Sequence, residues 1–195
     1  SDTNYIKGDA NTNHLDFSQT TLWNISSIKG YAGNDIIVGS QLHDTIYGGD
    51  GDDNLDGGAG HDLLVGGEGQ DQLSGGLGVD TYKIGLGDGL DVIDNYSTDT
   101  AEDHLQLGGV AQDNLWFSQN GDDLVIDFVG HHEQVTVANW YLGTDYQVDK
   151  IETDDGKILI HDQVDQLVSA MASFAVPEGA GAVVPQEVQD QLQPT

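Results

Sequence analysis

Between residues 28 and 82 the chain places one apolar residue every nine positions: Ile28, Ile37, Ile46, Leu55, Leu64, Leu73 and Tyr82. Glycine-rich polar stretches separate them. Read in nines from Gly30, the sequence is GYAGNDIIV, GSQLHDTIY, GGDGDDNLD, GGAGHDLLV, GGEGQDQLS and GGLGVDTYK. The eighth place is apolar throughout, and the sixth is always an acid. A fixed period with two locked positions, held six times, is a repeat architecture. One inward apolar residue per unit makes only a thin core, so a single coil cannot bury it and several must stack.

From Asn95 the glycines thin out and an ordinary β pattern follows: LQL at 105–107, NLWFS at 114–118, DLVIDF at 123–128 and EQVTVANW at 133–140. Asn120–Gly121 reads as a hairpin turn. Val148–Thr153 and Lys157–Ile160 flank a second turn at Asp154–Asp155–Gly156. The spacing of Val164, Leu167, Val168 and Met171 predicts a helix over Asp162–Ala175, with Asp162 as N-cap. VPEGAGAVVP then reads as a linker, and Pro185 opens a short second helix with Val188 and Leu192 on one side.

The residues of the repeat make chemical sense together. Glycine at places one, two and four permits positive φ and lets carbonyl oxygens approach an ion that a Cβ would obstruct. Aspartate at place six (Asp35, Asp44, Asp53, Asp62, Asp71 and Asp80) supplies hard anionic oxygen, and Ca²⁺ takes six to eight oxygens in flexible geometry. The pattern resembles the RTX nonapeptide family, GGxGxDxUx, over just over a quarter of the chain. The resemblance implies an all-β fold, a right-handed parallel β-roll in which each nonapeptide is a six-residue turn and a three-residue strand. Metal ions would lie between turns stacked on one side, odd repeats with odd and even with even.

On that resemblance the metal-ligating set comprises the six aspartates, with Asn34 and Asp52 at place five. It also takes Gly30, Gly48, Gly57, Gly66 and Gly75 at place one, and Ala32, Asp50, Ala59, Glu68 and Leu77 at place three. Repeat two departs from the pattern at Ser40 and Leu42, so its site with repeat four is the doubtful one. After Lys83 the nine-residue spacing is lost. By likeness to the ends of such arrays, Asp88 or Asp91 closes the last site, with Val92 and Ile93 continuing the core. The expected load is about four to five Ca²⁺.

Residues 1–29 are expected to form a degenerate, metal-free coil that covers the N-terminal end of the roll. Ile28 keeps the register there, but the sixth place is Ser26. Residues 30–94 form the roll. Residues 95–160 resemble the haemolysin-type calcium-binding related domain, more loosely, and are expected to cap the roll and nucleate its folding. Residues 161–195 hold the terminal helix and linker, and by the same likeness contribute to a type I secretion signal.

Charge sharpens the picture. The 195 residues carry 34 acids against 5 lysines and no arginine, for a formal charge of −29. Unpatterned, such acids would suggest a solvated or disordered chain; in register, they read as cation sites. They exclude nucleic acid and anionic membrane as direct partners. With no cysteine, neither disulfide nor thiolate chemistry is available, and no apolar run is long enough to insert into a membrane. The chain opens at Ser1 rather than methionine, and the expectation is a part of a larger polypeptide.

Competing chemistries fare worse. Asp52, Asn54, Asp56 and Gly57 mimic the start of an EF-hand loop, but Leu63 stands where its bidentate Glu belongs. His131–His132 are strand neighbours pointing to opposite faces, while His43 and His61 share place five of stacking repeats and could hold a weak adventitious transition metal. No nucleophile elbow or HExxH helix is present, so no catalytic residue is assigned. Trp116, Phe117, Trp140 and Tyr141 are either the core of a small β domain or a sugar-binding platform. The third places, Ala32, Gln41, Asp50, Ala59, Glu68 and Leu77, hold no threonine ladder for ice. The expected function is a calcium-driven folding module of an exported bacterial toxin, adhesin or enzyme; the alternative is a carbohydrate- or peptide-binding module of a calcium-dependent surface adhesin.

Overall fold

The computed structural model describes residues 4–177 and 182–191, without the side chains of the last two. In chain order the first strands are β1 (Tyr5–Lys7), β2 (His14–Asp16), β3 (Ser27–Ala32), β4 (Ile36–Val38), β5 (Thr45–Asp50), β6 (Asn54–Ala59), β7 (Leu63–Glu68) and β8 (Gln72–Leu77). There follow β9 (Thr81–Gly85), β10 (Leu90–Ile93), β11 (His104–Gly108), β12 (Leu115–Asn120), β13 (Asp123–Phe128), β14 (Gln134–Val137), β15 (Lys150–Thr153) and β16 (Ile158–Leu159). Successive strands of the array alternate between two sheets, β1-β3-β5-β7-β9-β11-β15-β16 and β2-β4-β6-β8-β10-β14-β13-β12. Pairing is parallel until β15 in the first sheet and β14 in the second, and antiparallel beyond. The molecule is a parallel β-solenoid, the β-roll that the period implies.

Register explains the core. Two nonapeptides make one coil, so each eighth-place residue lies beside the eighth place of the repeat after next. Ile28, Ile46, Leu64, Tyr82, Leu105 and Ile151 stack in the first sheet. Ile37, Leu55, Leu73, Ile93 and Val137 stack in the second. All are buried. Their immediate neighbours, buried Ser27 excepted, point outward, as strand alternation requires. Val92 was expected in the core, but it is the residue next to Ile93 and is exposed.

The strands of the array are longer than the expected three residues. Most span six, because the pairing runs on through the glycines, with Gly49 opposite Gly67 and Gly58 opposite Gly76. Without side chains there, the turns approach closely enough to extend the backbone ladder.

At the N-terminal end β1 and β2 form a further coil, pairing with β3 and β4. Past residue 94 both sheets run on without a break. β11 and β15 continue the first sheet and β14 the second, and one buried cluster extends from Ile28 to Val188. The β12–β13 hairpin turns at Gly121 with φ +65°. Trp116, Phe117 and Trp140 are buried in this core.

Helix α1 spans His161–Met171 and buries Val164, Leu167 and Met171, while Val168 is half-buried. It starts one residue before the expected helix and ends four residues short of Ala175. Its N-cap is Ile160, whose N–H donates to Gln163 Oε1 at 3.0 Å. Asp162 therefore sits in the first turn rather than at the cap, where its charge still complements the helix dipole. The N–H of Phe117 donates to Met171 Sδ at 3.1 Å, joining α1 to β12. A short α2 (Gln186–Gln191) follows Pro185 and buries Val188; Leu192 lies outside the described residues. Among the described residues no helix is long and apolar enough to cross a membrane.

Candidate metal centre

The turns between strands stack into two rows, and the sixth-place side chains link each row. Except at Asp44, which begins its row, each carboxylate accepts a hydrogen bond from the sixth-place backbone N–H one coil earlier. In the first row Asp35 Oδ1 accepts from Asn13 at 2.6 Å, Asp53 from Asp35 at 2.7 Å, Asp71 from Asp53 at 2.8 Å and Asp91 from Asp71 at 3.1 Å. In the second, Asp62 Oδ1 accepts from Asp44 at 2.7 Å, Asp80 from Asp62 at 2.9 Å and Asp103 from Asp80 at 2.8 Å. Asp149 Oδ2 then accepts from Asp103 at 2.8 Å.

The second oxygen behaves differently. Oδ2 of Asp35, Asp53, Asp62, Asp71, Asp80 and Asp91 is buried and has no hydrogen-bond partner. Leaving a charged oxygen so is costly, since the protein has removed its water without replacing it. Desolvation accordingly pushes these acids up, reinforced by the charge of neighbouring aspartates and opposed by the ladder N–H. Asp62 and Asp71 rise to about 8, Asp80 and Asp91 to about 7, and Asp53 to about 6, while Asp35 is raised.

Each of these oxygens in the repeats faces a corner that only glycine leaves open. A Cβ on Gly30, Gly48, Gly57, Gly66 or Gly75 would come under 3.0 Å from the Oδ2 of its own repeat's aspartate. The same Cβ on Gly30, Gly48 or Gly57 would also meet the carbonyl oxygen of Gly48, Gly66 or Gly75 in the next coil. A carboxylate oxygen and a carbonyl oxygen of adjacent coils thus converge where a place-one side chain would otherwise stand. Among the described residues no three His, Asp or Glu side chains gather at one point, so backbone carbonyls must supply most of any ligand set. Hard, oxygen-only donors with one carboxylate per turn suit Ca²⁺.

Residues 26–46 and 47–82 match the family model described as RTX calcium-binding nonapeptide repeat (4 copies). These are RTX repeats. Residues 123–163 match the haemolysin-type calcium binding protein related domain, which lies after the array and takes in β13 through β16 and the start of α1. The RTX array makes this chain a calcium-binding module.

The remaining residues of the expected set fall around the turns. Asp50, Glu68 and Leu77 at place three, whose side chains are exposed, give their carbonyls to the N–H of Gly33, Gly51 and Gly60 one coil earlier at 2.7–2.8 Å; Ala32 and Ala59 hold the same place. At place five, Asn34 Oδ1 accepts from Asp52 N at 3.2 Å and Asp52 Oδ1 from Gln70 N at 3.0 Å. These side chains form an outer ladder beside the inner one. Of the two residues expected to close the array, Asp91 takes the sixth-place position. Asp88 turns its Oδ2 onto its own turn, where Gly85 N–H donates at 2.7 Å. Asp44 belongs to the ladder, yet its Oδ2 is bonded within its own turn.

Three members of the ladder escaped the sequence reading. Residues 8–16, GDANTNHLD, are a further nonapeptide with Gly8, Asn13 and Leu15 at places one, six and eight. It lacks the other glycines and lies 22 residues from its stacking partner instead of 18; the Gly–Asn–Leu spacing was the available signal. Asp103 and Asp149 follow their partners by 23 and 46 residues, and no fixed period could have found them.

The histidine site does not form. His43 and His61 stack with centroids 4.5 Å apart and planes 9° from parallel. Each Nδ1 accepts a backbone N–H, from His61 at 2.6 Å and Val79 at 2.8 Å. An imidazole that ligates through Nε2 carries its proton on Nδ1, where these two residues meet a donor. They act as rungs of the outer ladder.

Proposed function

We propose that this chain is a folding module that becomes ordered on binding about four to five Ca²⁺ in the RTX turns. The observation that carries the reading is the set of six buried, unpartnered carboxylate oxygens, five of which lie where a side chain on the place-one glycine would otherwise stand. Bound calcium supplies divalent charge and a demand for six to eight oxygen ligands. Asp35, Asp53, Asp71 and Asp91 serve one row of turns, and Asp62 and Asp80 the other. Gly30, Gly48, Gly57, Gly66 and Gly75 keep the corners accessible. The carbonyls of places one and three and the polar side chains of Asn34 and Asp52 complete the donor set. Five ions would bring the formal charge from −29 to roughly −19, relieving repulsion along both rows.

Without the cation, ordering glycine-rich turns carries a large entropy cost and the stacked aspartates repel. One apolar residue per strand is a thin core to set against both. Metal-binding free energy then becomes folding free energy. Extracellular modules hold Ca²⁺ with dissociation constants of about 10⁻⁴–10⁻³ M, far above cytosolic levels. On this reading the chain stays unfolded inside the cell, passes a type I secretion apparatus as part of a larger bacterial polypeptide, and folds outside or at the cell surface. Its role is non-enzymatic, and it neither binds nucleic acid nor inserts into membrane. Against the adhesin alternative, Trp116, Phe117 and Trp140 of its four platform aromatics are core residues and Tyr141 is half-buried.

Far-UV circular dichroism tests the proposal. A β spectrum in millimolar calcium is expected to collapse when EGTA is added in excess. A spectrum unchanged by chelation would overturn the mechanism.

A further inference from the structure

Three turns of the roll depart from the glycine pattern at place two, at Asp9, Tyr31 and Ser40, and two of them close on themselves. In the turn 39–44, the N–H of Ser40 donates to Asp44 Oδ2 at 2.6 Å and the Ser40 hydroxyl donates to the same oxygen at 2.8 Å. In the turn 8–13, the N–H of Asp9 donates to Asn13 Oδ1 at 2.8 Å, and Asn13 Nδ2 donates back to Asp9 Oδ1 at 3.2 Å. Neither Ser40 nor Asp9 has positive φ. The four consensus turns do the reverse. Gly49, Gly58, Gly67 and Gly76 take φ between +94° and +128°, and the sixth-place Oδ2 beside each stays without a partner. Tyr31 is the informative case: it is not glycine, yet it holds φ +88°, and Asp35 Oδ2 is left open with the others.

We propose that the backbone conformation at place two decides whether a turn needs a cation, and that the turn 39–44 is a calcium-independent rung in which Ser40 compensates Asp44. This rests on the calcium reading above. A donor fixed on the oxygen removes the desolvation cost that a cation would otherwise relieve, and it occupies the lone pair a cation would use. Asp103 is closed from another direction, with Asn95 Nδ2 donating to its Oδ2 at 3.1 Å. The closed rungs flank the open ones. Asn13 and Asp44 begin the two rows, and Asp103 follows Asp80. The calcium requirement is thereby confined to Asp35, Asp53, Asp71 and Asp91 in the first row and to Asp62 and Asp80 in the second; the second row lies between two rungs already satisfied by protein donors, and the first is closed only at its start.

Calcium stoichiometry of the full chain, measured by native mass spectrometry and by equilibrium dialysis with elemental analysis, tests the assignment. Asp44→Asn is expected to retain the wild-type number of ions, because Asn keeps an oxygen for Ser40, whereas Asp53→Asn loses at least one. Ser40→Gly combined with Leu42→Gly, which restores the consensus turn, is expected to gain one ion. Loss of an ion in Asp44→Asn, or an unchanged count in the double variant, overturns the inference while leaving the calcium module intact. A wild-type chain that takes up no calcium overturns the module itself, and this inference with it.

Discussion

At the scale of single residues, the six open aspartates make a specific demand on pH. An unfolded aspartate releases its proton near 3.8, whereas Asp53, Asp80, Asp91, Asp62 and Asp71 hold theirs in the metal-free fold up to about 6, 7, 7, 8 and 8. The raised values mean that the folded, metal-free chain binds more protons than the unfolded one between roughly pH 4 and pH 8. Its stability is therefore greatest at the lower end of that window and is lost as pH rises through 6 to 8. Saturating calcium removes the dependence over pH 6–8.5, because the unfolded and the calcium-loaded chains are both ionised there. Near-UV circular dichroism, which reports the packing of Trp116 and Trp140, checks this. In chelator, tertiary signal is expected to grow as pH is lowered from 8 to 5; more signal at pH 8 than at pH 5 would contradict it. Asp44 and Asp103 are set apart by what faces Oδ2, a serine and an asparagine; Ser40 stood out against the glycine pattern, whereas Asn95 lies outside any period.

At the scale of the turn, glycine answers two separate needs. Place-one glycines lie outside the positive-φ region and are required for room beside Oδ2. Those at places two and four need both room and handedness. Gly49 stands at φ +128°, and a Cβ there would run into the Tyr31 carbonyl. Gly121 stands at φ +65° with nothing within 4 Å of its would-be Cβ. Gly121→Ala is therefore expected to cost only the left-handed strain, about 1 kcal/mol. Gly49→Ala is expected to cost clearly more, because backbone must move as well. Calcium titrations of both variants followed by circular dichroism rank the two, and equal midpoints would show that the coil spacing is softer than described. The same two needs explain what could be read in advance. The period of nine carried the register, the two-sided stack and the eighth-place core, because each depends only on identity at a fixed offset. The six-residue strands, the extra coil at 8–16 and the rungs at Asp103 and Asp149 depend on pairing across loops of unequal length, which leaves no period in the sequence. The helix cap was misplaced because the side chain that satisfies Ile160 comes from Gln163, three residues inside.

At the scale of the molecule, the roll has no independent end at residue 94. Leu105 lies on Tyr82 and Val137 on Ile93, so residues beyond the array cover its last coil in both sheets. A polar link crosses the same junction inside the core. The Tyr82 hydroxyl donates to Asn95 Oδ1 and accepts from Gly75 N–H, both at 2.8 Å. Asn95 Nδ2 in turn reaches Asp103 Oδ2 and the Gln147 carbonyl at 3.0–3.1 Å. Tyrosine at this one eighth place, where the other repeats carry aliphatic residues, thus connects the last repeat to the cap. A chain ending at residue 94 would expose Tyr82, Ile84 and Ile93, each worth about 2 kcal/mol of burial, and would deprive the tyrosine hydroxyl of its acceptor and the Asp80 N–H of its partner. With the core already thin, that loss is comparable to the whole stability of a small domain. The truncated chain is expected to need several-fold more calcium to fold, or to remain unfolded at millimolar calcium, in a titration run beside the full chain. An unchanged midpoint would mean that the array closes its own C-terminal end, and that Leu105 and Val137 pack on it without stabilising it.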